Sequence, residues 1–372
     1  MMHIKFISLL SLASLAVGQT VPDILTLLNG TSSLSQLAKA ITNAPEVAIA
    51  LGGAENITIL APNDEAFKAF SQMEQIVDGE MFAPLLTYHV LNGIYESTAF
   101  SKTPKFLPSI LGDYQPFRNL SGAPQVVKAV LTASNNATVF GGLGVSASVV
   151  TANVKFTGGV VHIIDSLLPP PMNISTTAQI VQLTSLVGAL TKADLVDIVD
   201  RLAGVTVFAP TNAAFQAVGN LVSDLTPQQL GDVLAYHVVP QVAYSTSLKD
   251  GMELTALDGK KLTITIKGDA VFVNGARVTG KDVLVNAGVV HVIDSVLNPN
   301  NTNDKPEVSA STQSPAFPSA TRSPDEPFTS GIDASSTTTG ASPSATGGVS
   351  KMGVSTFLVL AGAGVFAFGM MA

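Results

Sequence analysis

Histidine has the widest chemical range of the side chains in this sequence, because it can ligate a metal ion or exchange a proton near neutral pH. Apart from one histidine at the extreme N-terminus, the chain contains His89, His162, His237 and His291. Each lies in one copy of a motif that occurs twice, His89 and His237 in Tyr-His-Val, and His162 and His291 in Val-Val-His. Two interpretations follow, a metal or catalytic site, or buried histidines that fix local hydrogen bonds in each copy, and we favour the second.

An aspartate follows two of these histidines after three positions, Asp165 after His162 and Asp294 after His291. The β-branched residues around each histidine favour a strand. Side chains three positions apart on a strand point to opposite faces, so these pairs cannot bind one ion together. We therefore expect each aspartate to end its strand in a turn.

Composition and missing motifs exclude several functional classes. The sequence has no cysteine, which excludes disulfides, thiolate metal sites and cysteine nucleophiles. It has no G-x-S-x-G nucleophile motif and no D-x-D-x-D-G calcium loop, and no glycine-rich phosphate loop between a strand and a helix. The net charge of −8 argues against nucleic acid, which needs basic surfaces. We expect no enzyme activity, no cofactor and no bound metal.

The motifs belong to a long internal repeat. The segment TILAPNDEAF (Thr58–Phe67) returns as TVFAPTNAAF (Thr206–Phe215), 148 positions later, and the two Tyr-His-Val motifs have the same offset. The segment GGVVHIIDSLL (Gly158–Leu168) returns as AGVVHVIDSVL (Ala287–Leu297), now 129 positions later. The chain therefore contains two copies of one unit, and the first copy has 19 extra residues before its last motif.

Local patterns predict the elements that position these motifs. Apolar residues fall at helical spacing in both copies, at Leu34, Leu37, Ala38 and Ile41, and again at Leu183, Leu186, Val187 and Leu190. A strand is predicted at Thr206–Phe208, ended by Pro210, with Thr211 or Asn212 capping the next helix.

Later in the unit, alternating residues turn at Asn274-Gly275, which predicts a hairpin, and a closing strand follows at Val289–Ile293. The fold class is therefore α+β, with helices first and an antiparallel sheet after them.

The order of these motifs resembles the fasciclin domain over nearly all of Val21–Leu297, in two copies. The resemblance implies a wedge-shaped β-sandwich with a helical layer, and a role in cell adhesion. It also makes the Tyr-His positions candidates for partner contact, and these are Tyr88, His89, Tyr236 and His237. Their apolar neighbours indicate burial, so a structural role is the preferred interpretation.

Both ends of the sequence are typical of targeting segments. Residues 1–18 have a lysine, an apolar run and small residues before Gln19, which predicts a signal peptide. Residues 351–372 are an apolar tail after a small, polar stretch, which predicts a GPI-attachment signal with Gly347 as the candidate acceptor. The alternative is a retained membrane helix in the vacuole or secretory pathway.

The predicted organisation is a signal peptide, two domains at 19–170 and 171–299, a stalk at 300–350 and the tail. The stalk is rich in Ser, Thr and Pro, has little apolar surface to bury, and is expected to be disordered. Six Asn-x-Ser/Thr sites predict N-glycosylation. They are Asn29, Asn56, Asn119, Asn136, Asn173 and Asn300.

The sequence thus predicts a membrane-anchored surface glycoprotein that contacts cell-surface, cell-wall or matrix components through tandem fasciclin domains. Two weak sites on one anchored chain would act more strongly than one. The alternative is a binding module for a small ligand, lipid or glycan held between sheet and helices, which a deep apolar pocket would indicate.

Overall fold

The computed structural model describes residues 21–71, 79–111, 117 and 120–332, and it contains two similar α+β units in sequence. The predicted signal peptide, the apolar tail, the candidate acceptor Gly347 and the glycosylation site Asn119 lie outside the described residues.

The first unit, called domain 1, begins with helices, and most of its strands follow them. Its helices are α1 (Ile24–Gly30), α2 (Ser35–Thr42), α3 (Pro45–Gly52), α4 (Asp64–Ser71) and α5 (Gly79–Tyr88). Its strands are β1 (Ile57–Pro62), β2 (Val90–Asn92), β3 (Lys105–Pro108), β4 (Val126–Leu131), β5 (Ala137–Phe140), β6 (Ser146–Phe156) and β7 (Gly159–Ile164).

The second unit, domain 2, repeats this order. Its helices are α6 (Ile174–Ile180), α7 (Thr184–Lys192), α8 (Val196–Asp200), α9 (Asn212–Ala217), α10 (Gly219–Val222) and α11 (Pro227–Ala235). Its strands are β8 (Val205–Pro210), β9 (Val238–Val239), β10 (Glu253–Thr255), β11 (Lys261–Lys267), β12 (Ala270–Val273), β13 (Ala276–Val285) and β14 (Gly288–Ile293).

The described strands of each domain form one sheet, in the order β2-β1-β7-β6-β5-β4-β3 and β10-β11-β12-β13-β14-β8-β9. The expectation of an antiparallel sheet is wrong at one place in each copy. β1 pairs with β7, and β8 with β14, in parallel. Parallel partners need a long crossover between them, and here the chain from α4 to β6, and from α9 to β13, forms that crossover.

A bulge bends each sheet into two layers. The pairing of β6 with β7 shifts register twice between Val149 and Val154, and β13 with β14 shifts between Val278 and Val283. Asn153 and Asp282 lie inside these irregular stretches with φ near +60°. Because a bulge increases bending and twist, the strands beyond it fold over the sheet, and the predicted sandwich results.

Two cores lie on the two sides of the central strands. In domain 2, Val207 of β8 and Val290 of β14 pack against the helices. Phe208 of β8 and Ile293 of β14 lie on the opposite face of the sheet and pack against the strands beyond the bulge. Domain 1 has the same two cores. The central strands are therefore buried on both faces, which explains their nearly continuous apolar sequence.

The glycine that begins each last strand is required by the parallel pairing. Gly159 and Gly288 have φ of 158° and 146°. A Cβ at Gly159 would lie closer than 3.0 Å to the carbonyl oxygen of Ile57, and one at Gly288 would do the same to Val205. Only glycine therefore allows the chain to approach β1 or β8 at this point.

The repeated decamer forms a strand, a cap and a helix, as predicted. The strand β8 extends beyond the prediction and includes Pro210. Thr211 is the N-cap, and its hydroxyl accepts a hydrogen bond from the Ala214 N–H. The predicted hairpin is present, since Val273 pairs with Ala276 across the two-residue turn.

Specific contacts join the two domains. The rings of Phe106 and Tyr244 are stacked, with 3.9 Å between centroids and 14° between planes. The side chain of Gln125, which is buried, donates a hydrogen bond of 2.7 Å to the backbone carbonyl of Asn286. The linker residues Pro170 and Pro171 are also buried. The domains therefore pack against each other through side chains that the sequence did not single out.

The first part of the predicted stalk differs from the expectation. Residues 302–332 contain no helix or strand, but they lie against domain 2, and Phe317, Phe328 and Ile332 pack on its helical core. These apolar side chains supply burial that the average composition of the segment conceals. Residues 333–350, the remainder of the predicted stalk, lie outside the described residues.

The two copies of the decamer give a matched stability prediction. Phe215 is 1% exposed in the helical core of domain 2, whereas its counterpart Phe67 is only partly buried. We expect Phe215→Ala to lower the free energy of unfolding of domain 2 by about 3–5 kcal/mol. Phe67→Ala should cost domain 1 about 1–2 kcal/mol, because less apolar area is lost.

Urea unfolding of the two single variants measures both losses. Equal losses in the two domains would contradict the different burial of the two rings.

Candidate functional site

The two tyrosines of the Tyr-His-Val motifs lie inside the domains. Tyr88 and Tyr236 are both 0% exposed. Tyr88 donates from its hydroxyl to the Val126 carbonyl at 2.7 Å, and Tyr236 donates to the Lys261 carbonyl at 2.8 Å. Burial raises the pKa of each phenol above its ordinary value. Each tyrosine thus joins the end of a helix to one of the strands beyond the bulge, β4 or β11.

The histidines of the same motifs bind two backbone groups each. The Nδ1 atom of His89 lies 2.8 Å from the carbonyl oxygen of Leu85, so Nδ1 carries the proton and donates it. Its Nε2 accepts from the Leu168 N–H at 2.9 Å. His237 makes the same two bonds, to the Val233 carbonyl and from the Leu297 N–H. These histidines connect a helix end to the chain that follows the last strand.

The histidines of the last strands have the opposite tautomer. His162 donates from Nε2 to the Tyr95 carbonyl at 2.7 Å, and its Nδ1 accepts from the Asn153 N–H in the bulge. His291 repeats this arrangement with the Ala243 carbonyl and the Asp282 N–H. A last strand, a bulge and a loop therefore meet at one imidazole in each domain.

Burial lowers the pKa of all four histidines. The pKa falls to about 4 for His89 and His237, which are fully desolvated. It is also lowered for His162 and His291, again with burial as the largest cause. A neutral imidazole can ligate a metal, but here both nitrogens of each ring already have a backbone partner. The geometry favours the structural interpretation of these residues.

The two aspartates of the last motifs end their strands, as predicted. Asp165 accepts a hydrogen bond from the Ser148 N–H, and Asp294 accepts one from the Arg277 N–H. Each carboxylate thus fastens the end of the last strand to the neighbouring long strand. Within the described part of the chain, no group of three or more His, Asp or Glu residues is arranged to hold a metal ion.

A small cavity and an open groove lie beside the helices of domain 1. In domain 1 a cavity of about 10 Å³ lies among Leu37, Leu51 and His89, which is room for a single water at most. The larger space is an open groove of about 550 Å³ on the outside of α1 and α2, lined by Asn29, Ala38 and Lys39 among others.

The predicted glycosylation sites differ in accessibility. Asn29, Asn56, Asn136 and Asn300 are exposed. Asn173 is partly buried, and its side chain accepts a hydrogen bond from the Thr176 N–H as the N-cap of α6. Exposure is a requirement for a glycan, so the first four are the accessible acceptors among the described sites.

Two structural features were not predicted from the sequence, the domain interface and the docked C-terminal segment. Phe106 and Tyr244 gave no local signal, because an interface between domains has no sequence period. Phe317 and Phe328 did give one, since they are the aromatic residues of an otherwise Ser/Thr/Pro-rich segment.

The histidine geometry predicts an acid-sensitive fold. An unfolded histidine takes up a proton near pH 6.5, whereas folded His89 and His237 do so only near pH 4. Below pH 6.5 the unfolded chain therefore binds more protons than the folded chain, and the free energy of unfolding should fall until about pH 4. Urea unfolding at a series of pH values measures this loss.

Two-bond ¹H–¹⁵N spectra test the tautomers directly. His89 and His237 should be protonated on Nδ1, and His162 and His291 on Nε2. His89 and His237 should stay neutral at pH 6, and the pKa of His162 and His291 should lie below that of the urea-unfolded chain, which titrates near pH 6.5. A midpoint near 6.5 for these rings in the folded protein would contradict their buried, doubly bonded geometry.

Comparison with known proteins gives matches over both units. The family model of the fasciclin domain matches residues 32–170 and 181–299. A fasciclin-like arabinogalactan protein of Arthroderma benhamiae is 32% identical over 306 residues, covering 80% of this chain and 72% of that relative. Another, from Cercospora beticola, is 32% identical over 253 residues, covering 66% of this chain and 68% of the relative.

Among solved structures, a FAS1 domain pair from the insect cell adhesion molecule Fasciclin I aligns with a TM-score of 0.36 at 18% identity. The alignment covers 72% of this chain and 97% of that chain.

Each of the two family matches falls on one structural repeat, with the Tyr-His-Val motif inside it and the last strand near its end. The chain therefore belongs to the fasciclin domain family and contains two copies of its domain.

Proposed function

We propose that this protein is an extracellular surface glycoprotein that mediates adhesion to cell-surface, cell-wall or matrix components through its two fasciclin domains. The proposal rests on the tandem repeat of the fasciclin domain. In each copy the tyrosine and histidine of the Tyr-His-Val motif bind backbone groups inside the domain. With Tyr88, His89, Tyr236 and His237 occupied by backbone partners, the outer surface is what remains for a partner.

The outer helices offer a contact surface of this kind. Ile49 on α3 is 78% exposed, and Ile198 on α8, the third helix of domain 2, is 56% exposed. Single exposed apolar residues are common on protein surfaces. Here each domain presents one on the same helix of its fold, so the chain carries two similar apolar contacts, and simultaneous engagement would multiply their strength.

A ligand held between sheet and helices is the less favoured function. Ligand pockets usually have volumes of about 300–1,000 Å³. The cavity between sheet and helices of domain 1 has about 10 Å³. The open groove on α1 and α2 is large enough, but it includes the predicted glycosylation site Asn29, whose glycan would lie across it.

The surface location that we propose rests on the two ends of the chain. A signal peptide at residues 1–18 would direct secretion, and a GPI anchor near Gly347 would hold the protein at the outer face of the membrane or in the wall. Among the described residues, no helix is both long and apolar enough to cross a bilayer.

Adhesion is tested with beads coated with residues 19–332. We expect these beads to retain cells of the source organism under flow, and soluble protein of the same residues to compete. The double variant Ile49→Ser, Ile198→Ser should reduce retention while its circular dichroism and urea midpoint stay unchanged, because both side chains are exposed.

Beads coated with the Phe215→Ala variant, whose domain 2 is destabilised, serve as the folding control. Retention by folded wild-type protein no better than by albumin-coated beads would contradict direct adhesion.

Anchoring is tested on intact cells. A phosphatidylinositol-specific phospholipase should release the anchored protein into the medium, because the enzyme cleaves the lipid of a GPI anchor and leaves the polypeptide intact. Replacement of the small residues around Gly347 with bulky ones should abolish surface display. Protein that stays with the membranes after phospholipase treatment, but dissolves in detergent, would indicate the retained helix instead.

A further inference from the structure

The C-terminal segment 316–332, here called the latch, lies across α7, α9 and α10 of domain 2. Its end near the sheet is held at Ala316, whose carbonyl accepts from the Asn298 side chain at 3.0 Å. Its middle is held at Ser323, whose N–H donates to the Gln216 carbonyl at 2.9 Å. Its far end is held at Phe328, whose ring meets Phe215 edge-on with 6.1 Å between centroids.

Polar contacts fix the register of the latch between these anchors. The Asn220 side chain accepts from the Thr321 N–H at 2.7 Å, and the Asn212 side chain donates to Glu326 at 3.0 Å. The ammonium of Lys192 lies 5.3 Å from the centre of the Phe328 ring, within the range of a cation–π contact. Both apolar and polar contacts thus hold the latch in one register on domain 2.

Two glycines on the helices make room for the latch. Gly188 is in the middle of α7, and a Cβ there would lie closer than 3.0 Å to the Phe328 carbonyl oxygen. Gly219 begins α10, and a Cβ there would collide with the Cβ of Ser323. Glycine inside a helix costs about 1 kcal/mol relative to alanine, so its presence at Gly188 needs a packing reason. The latch supplies that reason.

Domain 1 shows that the fold does not need a latch. The residue in the position of Gly188 is Lys39, which lines the open groove on α1 and α2. Among the described residues, domain 1 packs its helical core without a segment of this kind. The family match of domain 2 ends at residue 299, before the latch, and the latch adds no strand to the sheet.

We propose that the helical face of domain 2 is a docking site for the chain's own residues 316–332, and that this latch opens and closes while the domain stays folded. The site fits an extended segment that places a phenylalanine, preceded by proline, over a glycine of α7. The open state uncovers the apolar surface around Val187 and Phe215, which a similar segment of another chain could then occupy.

Trypsin reports the state of the latch in the full chain. Arg322 lies in the latch, and between Lys281 and Lys351 it is the one lysine or arginine that is not followed by proline. The peptide bond after it includes the Ser323 N–H that is bonded to Gln216. Cleavage therefore requires the latch to leave the helices, and its rate measures the open population.

Gly188→Ala should open the latch without weakening the helix, because alanine is the better helix former. We expect trypsin to cut after Arg322 at least about tenfold faster in this variant, because a larger open population raises the cleavage rate. The matched control is Gly231→Ala in α11, where a Cβ meets Leu195 at 3.6 Å, an ordinary contact. This control should be cut at the wild-type rate.

Phe328→Ala, which removes the anchor but changes no residue of the domain, should also accelerate cleavage. Circular dichroism of both variants should show unchanged secondary structure, with domain 2 still folded. Equal cleavage rates in wild type, Gly188→Ala and Phe328→Ala would overturn the proposal, and so would loss of the folded domain in Phe328→Ala. Protection of Arg322 only in a dimer, measured by light scattering, would overturn docking within one chain.

Discussion

The parallel pairing of the first and last strands of each domain determines the rest of the architecture. β7 joins β1 from Gly159 to Ile164, and β14 joins β8 in the same register. Parallel strands cannot be joined by a tight turn, so a long connection, made here of helices and the remaining strands, runs between them. Since these strands are buried on both faces, other elements of the domain have to cover both. The helices cover one face, and the strands beyond the bulge cover the other.

Burial of this kind creates a hydrogen-bonding problem that the repeated motifs solve. Loops that cross a doubly covered sheet bring carbonyl and N–H groups into the interior, and unpaired buried groups are costly. A neutral imidazole offers one donor and one acceptor on opposite sides of a rigid ring. His162 and His291 connect the bulge to a loop, and His89 and His237 connect a helix end to the exit of the last strand. The histidines recur because the fold recurs.

The elements could be predicted from sequence wherever a local pattern carries them. The 3.6-residue spacing at α7, the Thr211 cap and the Asn274-Gly275 turn each depend on neighbouring residues, and each was correct. The parallel pairing was missed, because strand direction depends on residues about a hundred positions apart.

The candidate site was only partly predictable. The sequence narrowed the four motif histidines to two interpretations, but it could not show that both nitrogens of each ring are occupied. The latch was missed for a different reason. Average composition describes a segment rich in Ser, Thr and Pro, whereas a few apolar residues, Phe317 and Phe328 among them, pack on the helical core.

The two copies have kept one interior and acquired different exteriors. Their bulges, histidines and capped helices correspond, but α2 presents Lys39 to an open groove beside the sequon at Asn29, while α7 presents Gly188 to the chain's own latch. A lysine tolerates solvent, and a helical glycine is disfavoured unless something packs against it. The surfaces of α2 and α7 therefore differ in what packs against them. The tandem arrangement gives this protein two unequal surfaces on one scaffold, and the stacked rings of Phe106 and Tyr244 join their domains.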